Sequence, residues 1–374
     1  MDKKQKQVLE YGKTYPKLWI SEKLNKAIFR PQRVELTIST RCNLRCKMCI
    51  PLESREKVRT GENIDVPSIK RIIDEMHEWG IAEMNIMGFG ETLLRDDFFD
   101  IVSYASNKNI SCTTVTNGTL IDEEMSKKIL KSGLRRLAIS LDGATPKTHD
   151  TIRGVEGAFD RTTQGIKTLN RLRKEMDIDL YIGLITVINN YNFRELPDIV
   201  ALTKALEVEA IMFQPVHIEE LVFESDTKYH VVHNINYKKS NLWIAEENLD
   251  KLDQVIDELI KCRARDETIS TQIPMLEMIK EYFRNPLDLK FNCIAGYNSM
   301  GIGPQGDVYP CWLVESIGNI RGKTLKEIWF SDEFARARLM MKNCPRKCLM
   351  ACHYLPKMKD LVSLLGNKIK YKTL

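Results

Sequence analysis

A chain of 374 residues has room for a sizeable core, arranged as two or three domains or as one large barrel with an appendage. Its 43% hydrophobic and 29% charged residues are the composition of an ordinary globular protein, which excludes disorder, collagen and a membrane-embedded bundle. Lys+Arg 56 against Asp+Glu 51 leaves a net charge of only +5, too weak a field to argue for nucleic acid or acidic lipid as a partner. The basic start has no apolar run of signal-peptide length behind it, and nowhere do about eighteen apolar residues run together. A cytoplasmic protein without a membrane span is therefore expected.

Residues 1–32 read as an N-terminal extension. Residues 34–38 follow as a strand, and 66–79, with apolar residues at helical spacing, as a helix that Gly80 stops. Then come a strand at 84–87, a helix at 96–107, a strand at 111–116 and a helix at 122–132 that Gly133 stops. The rhythm continues with strands at 137–141, 180–188 and 210–213, separated by helices at 159–175 and 193–206. Six alternations at a period of roughly 30 to 35 residues predict parallel strands covered by helices over 33–215. Six units are too few for the closed eight-fold barrel. The expected fold is therefore α/β, a partial (β/α)6 barrel followed by a small α+β cysteine-rich domain, with a doubly wound sheet as the alternative.

After Phe213 the rhythm breaks, and 216–285 reads as a long loop excursion carrying His217, His230 and His233, then a helical connection with a strongly amphipathic helix at 245–264. Because the excursion leaves the carboxyl end of the sixth strand, 215–241 is expected to recognise the substrate. A cysteine-bearing module occupies 286–353. The basic tail 354–374, with its Leu-Val-Leu-Leu stripe, reads as a terminal helix docked on the body, a membrane-surface helix being the alternative.

Without export, ten cysteines are better suited to metal or redox chemistry than to disulfides. Cys112 and Cys262 stand alone and read as small buried side chains. The other eight form a front group, Cys42, Cys46 and Cys49, and a back group, Cys293, Cys311, Cys344, Cys348 and Cys352. The front group sits in a short loop after the first strand. A structural zinc needs four ligands, whereas three thiolates leave one iron of a four-iron cluster open, as a catalytic cluster requires. In the back group, Gly306-Asp307 marks a hairpin turn whose far strand delivers Cys311, and Cys344, Cys348 and Cys352 recur every four residues. On spacing alone that group suits either a structural zinc or an iron–sulfur cluster.

The segment from Thr40 to Cys49, Thr-Arg-Cys-Asn-Leu-Arg-Cys-Lys-Met-Cys, resembles the signature of the radical S-adenosylmethionine enzymes, with Met48 where the family commonly has an aromatic residue. Gly90-Glu91-Thr92 resembles the family's Gly-Gly-Glu-Pro, Phe89 replacing the first Gly and Thr92 the Pro. Ser140-x-Asp142-Gly143 with Arg153 resembles the Ser-x-Asp-Gly and downstream Arg of members with extra clusters. The resemblance implies that the cofactor is bound by Met48, Gly88, Gly90, Glu91, Asn117, Ser140, Asp142 and Arg153, all near the carboxyl ends of the early strands. Residues 293–352 resemble the SPASM/twitch extension. With five cysteines instead of seven this implies one auxiliary four-iron cluster, held by Cys293, Cys311 and two of Cys344, Cys348 and Cys352, with Cys348 and Cys352 favoured and Cys344 either a spare or a ligand to a second site.

The implied activity is reductive cleavage of S-adenosylmethionine to a 5'-deoxyadenosyl radical that abstracts hydrogen from a substrate, the auxiliary cluster assisting oxidation and a flavodoxin or ferredoxin supplying the electron. No catalytic acid, base or hydrogen donor is assigned by the sequence. Peptide-modifying members often carry a winged domain for a leader, and only about thirty residues precede the first strand here. The expected substrate is accordingly a small molecule such as a sugar or cyclitol, with a peptide (oxidised, crosslinked or epimerised) as the alternative. A non-catalytic zinc or iron–sulfur scaffold is the remote one.

Overall fold

The computed structural model describes residues 15–49, 63–223, 229–233, 237–289, 292–312, 314–342, 344, 348–349 and 353–355. Six parallel strands run in sequence order through one sheet: β1 (Arg33–Thr37), β2 (Glu83–Met87), β3 (Ser111–Thr116), β4 (Arg136–Ser140), β5 (Tyr181–Ile188) and β6 (Ala210–Pro215). Between them lie α1 (Val66–Trp79), α2 (Phe98–Asn107), α3 (Glu123–Lys131), α4 (Pro146–Arg153) with α5 (Ala158–Glu175), and α6 (Leu196–Ala205). α1 shows why these boundaries were legible. Asp65 caps it by accepting the Ser68 amide, Pro67 sits in its first turn, Gly80 ends it, and Ile69, Ile72, Ile73 and Met76 form its buried stripe.

Uniform right-handed crossovers along this strand order put every covering helix on one side of the sheet. The strands record it: in β3 the helix-facing Cys112, Thr114 and Thr116 are buried while Ser111, Thr113 and Val115 on the concave side are half-exposed. The register continues that concave row as Thr37 beside Met87, Val115 beside Ala138, Ser140 beside Ile185, and Val187 beside Gln214. Apart from the buried Thr37, the residues of this row are half-exposed, so the concave face is partly open to solvent.

Beyond β6 the excursion is not a plain loop. It contains an antiparallel hairpin, β7 (Glu219–Phe223) and β8 (Tyr229–His233). α7 (Leu249–Arg265) matches the expected amphipathic helix, and α8 (Ile273–Arg284) packs along it, with Lys280 and Arg284 paired to Asp257 and Asp253.

The cysteine-bearing segment comprises β9 (Asn292–Cys293), β10 (Ser299–Ile302), β11 (Val308–Tyr309), α9 (Leu325–Trp329), α10 (Asp332–Lys342) and β12 (Tyr354–Leu355). β10 and β11 form the expected hairpin, and β10 also pairs in parallel with β1. The sheet therefore has eight strands in the order β11-β10-β1-β2-β3-β4-β5-β6 and stays open between β11 and β6. Residues 15–24 are helical, and Tyr15 and Leu18 pack on Ile294 and Tyr297. Among the described residues no helix is long and apolar enough to cross a membrane. The expected tail helix and Cys352 lie outside the described residues.

Candidate active site

The loop that leaves β1 carries Cys42, Cys46 and Cys49, all half-exposed, and it is held from two sides. On one, the Glu91 amide donates to the Arg41 carbonyl (2.7 Å). On the other, the amides of Arg45 and Lys47 donate to the carbonyls of Arg153 (3.2 Å) and Ile152 (2.8 Å) at the end of α4. Within the loop the Cys49 amide donates to the Cys46 carbonyl (3.1 Å) and the Leu44 amide to the Cys42 sulfur (3.4 Å). Burial raises the Cys46 thiol above its ordinary pKa, opposed by the Arg153 charge. Among the described residues no three Cys, His, Asp or Glu side chains already form a closed metal cage. The donor set itself, three sulfurs on one loop, suits an iron–sulfur cluster with one open iron better than a four-ligand zinc.

The segment after β2 presses on this loop. A Cβ on Gly90 would lie 2.0 Å from the Arg41 carbonyl oxygen, so only glycine fits there. Next to it Glu91 is 2% exposed, and its carboxylate accepts from the Thr116 hydroxyl (2.7 Å), the Leu93 amide (3.2 Å) and the Asn117 amide (2.8 Å). Burial raises the Glu91 carboxyl while these bonds and Arg153 pull it back. Its side chain thus braces the ends of β2 and β3, and any bound amine would share it with those donors. Asn117 extends the lacing, donating to Asn43 (2.9 Å) and accepting from the amide and hydroxyl of Thr119. Where the family has proline, Thr92 uses its hydroxyl to reach the Val115 carbonyl (3.2 Å). Phe89 meets Trp312 edge to face, ring centroids 6.0 Å apart.

Ser140 closes β4, half-exposed on the concave face. Asp142 is fully buried: one carboxylate oxygen accepts the Val187 amide (2.7 Å), the other pairs with Arg153. The Arg153 guanidinium also points at the Cys46 sulfur (3.7 Å). The cofactor contact expected of Arg153 would be made alongside its bonds to Asp142 and a candidate cluster ligand. His149 completes the group by accepting the Asp142 amide through Nδ1 (3.1 Å), and burial together with the Arg153 charge pushes it down to about 3, so it is neutral. Sequence reasoning missed α4 and with it His149. The signals present were the cap Thr145, Pro146 in the first turn and Gly154 past the end. Met48 lies half-buried against the core near this loop.

In the back group, Cys293 on β9 faces Tyr354 on β12, and the Ile294 amide donates to the His353 carbonyl (2.9 Å), which brings Cys293 beside the chain that carries Cys352. Cys311 follows β11, Cys344 caps the end of α10 through its amide to the Met341 carbonyl (3.1 Å), and Cys348 is buried. Burial pushes the Cys293 thiol up to about 11, and the neighbouring Cys344 adds to it. Cys344, which the sequence left as a spare or a ligand to a second site, therefore stands next to Cys293. Cys112 is a packing residue as expected, its thiol pushed up to about 12 by burial.

Two family models fit this division: one described as the radical SAM superfamily matches residues 36–203, and one described as an iron–sulfur cluster-binding domain, SPASM, matches 293–353. The chain belongs to the radical S-adenosylmethionine superfamily. Its cofactors are accordingly S-adenosylmethionine, a four-iron cluster and auxiliary iron–sulfur in the SPASM domain, and it is an enzyme. It is similar to the AdoMet-dependent heme synthase of Methanosarcina barkeri, at 28% identity over 87% of this chain and 89% of that protein. It is similar also to the PqqA peptide cyclase of Rhodopseudomonas palustris, at 25% identity over 81% of this chain and 74% of that one. The fold resembles Streptococcus suis SuiB bound to the precursor peptide SuiA, with a TM-score of 0.61, 18% identity, and coverage of 86% of this chain and 69% of that one.

Proposed function

We propose that this radical S-adenosylmethionine enzyme oxidises a peptide held in the barrel. The observation that carries the reading is the chemistry of the concave row. Towards the carboxyl ends of the strands, Thr37, Met87, Val115, Ser140, Ile185, Val187 and Gln214 are neutral, a surface that suits an uncharged stretch of polypeptide rather than a carboxylate-rich macrocycle, while the charged Arg33, Glu35, Glu83 and Arg136 of that face lie nearer the amino ends. Arg153, the cation beside the front loop, is already paired with Asp142. A relative named for peptide cyclisation supports the same reading. The sugar-like substrate expected from the sequence rested on the length of the segment before β1, which bears on leader recognition and not on this lumen.

Cys42, Cys46 and Cys49 would hold the catalytic cluster, and the segment from Gly88 to Glu91 with Asn117, Ser140, Asp142 and Met48 would seat the cofactor. When bound, cluster and cofactor supply a 5'-deoxyadenosyl radical for hydrogen abstraction. The chain's part is to hold a peptide carbon against that site and to keep water out. Oxidation needs a second electron taken from the substrate, and Cys293, Cys311, Cys348, Cys352 and Cys344 would hold its acceptor. Exposed Arg41, Arg45 and Lys47 on the front loop suit an acidic electron donor such as a flavodoxin or ferredoxin.

Anaerobically purified protein is expected to contain about eight iron and eight sulfide per chain with little zinc, as two four-iron clusters. About four iron with one zinc would assign the back group to structural zinc instead. The substrate test supplies S-adenosylmethionine, dithionite and deuterated peptides encoded beside the gene. The expected result is deuterium in 5'-deoxyadenosine and a peptide lighter by one pair of hydrogens. Turnover of a carboxylated iron porphyrin, with the peptides untouched, would overturn the peptide reading in favour of the chemistry for which the heme synthase relative is named.

A further inference from the structure

Glu35 is the charged residue in the middle of β1, its side chain on the concave side of a strand whose other residues there are Arg33 and Thr37. It is 3% exposed, and a carboxylate buried so deeply needs partners. Arg33 donates to one oxygen (3.1 Å) and the indole N–H of Trp312 to the other (2.9 Å), and Ser299 on β10 adds a bond. Burial alone would raise this carboxyl; these partners and the adjacent His353 hold it below its ordinary value.

Two of these partners are chain neighbours of candidate auxiliary ligands: Trp312 follows Cys311, and His353 follows Cys352. Trp312 is fixed on its other sides as well. It lies over Gly301, where a Cβ would come within 2.9 Å of the indole, stacks on Tyr309 with centroids 5.3 Å apart, and touches Phe89 of the cofactor-side segment. Merely anchoring the β10–β11 hairpin would need only the ladder to β1; a buried charge aimed at the indole N–H does more, since it fixes the residue bonded directly to Cys311.

We propose that Trp312 is a positioning residue that, through Glu35, sets the place of the Cys311 thiolate and so the environment of the auxiliary cluster. The proposal rests on the reading of Cys311 as an auxiliary ligand. Three full-length variants test it. Trp312→Phe keeps an aromatic ring without the donor, Glu35→Ala removes the acceptor, and Glu35→Gln keeps an acceptor for the indole.

In metal-free protein, iodoacetamide is expected to alkylate Cys311 at least about fivefold faster in Trp312→Phe and Glu35→Ala than in wild type, the effect of one such hydrogen bond, with Glu35→Gln within about twofold. In loaded protein the first two variants are expected to shift the electron paramagnetic resonance signal and midpoint potential of the auxiliary cluster, and the front cluster's signal is expected to stay put. Unchanged alkylation and an unchanged auxiliary signal would overturn the proposal. So would equal acceleration at Cys311 and Cys42, which would mean a loosened fold rather than a released clamp. If wild-type protein holds a single cluster, the ligand reading fails, and the alkylation rates still decide whether the clamp exists.

Discussion

Gly90→Ala is expected to cut formation of 5'-deoxyadenosine by about a hundredfold or more, the scale of loss that accompanies a misplacement of roughly one ångström near reacting atoms. The added methyl would sit 2.0 Å from the Arg41 carbonyl oxygen, and Arg41 is the residue before Cys42. Relief requires the front loop to move away from Glu91, breaking the 2.7 Å bond between the Glu91 amide and that same carbonyl. The neighbouring Gly88→Ala is expected to lose activity too but less, because its methyl would lie 2.8 Å from the Ser39 carbonyl oxygen, a clash with backbone that is less severe than the one at Gly90. Product measured under dithionite in both variants, with iron content alongside, separates a displaced loop from a lost cluster. A wild-type rate in Gly90→Ala would mean that the close approach of these two segments has no bearing on cofactor chemistry.

The six barrel units were legible from apolar periodicity, sharpened by a capped end where there is one, as in α1 between Asp65 and Gly80. The front thiols were legible as a local motif. What escaped notice lacked a hydrophobic period or a partner nearby in the chain. α4 is eight residues long, and its buried face is His149, Ile152 and Arg153, so the hydrophobic period is silent where the site needs polar groups. β10 joins β1 from the far end of the chain, and parallel pairing across such a distance leaves no mark on either strand's own sequence. The Glu35–Trp312 bond follows from that pairing and was equally invisible. The pairing of Arg153 with Asp142 likewise depends on where α4 folds, under the front loop.

Removal of one member of the Asp142–Arg153 pair is expected to destabilise the metal-free protein more than removal of both. Asp142 has no solvent exposure and Arg153 very little, so neither charge can be hydrated in place of its partner. Arg153→Met would leave the Asp142 carboxylate buried with the Val187 amide as its remaining strong donor, and Asp142→Asn would leave a guanidinium whose other neighbour is the Cys46 sulfur. Breaking such a pair from one side typically costs about 3–5 kcal/mol, because the penalty is the uncompensated charge, whereas a neutral, well-packed replacement of both can cost far less. Arg153→Lys should rescue only in part, since an ammonium cannot reach Asp142 and Cys46 at once in the way a planar guanidinium does. Urea melts of the metal-free single and double variants give the coupling directly. A double variant whose loss equals the sum of the two single losses would show that Asp142 and Arg153 do not depend on each other, and the buried pair would then have to be read as two separate supports of the front loop.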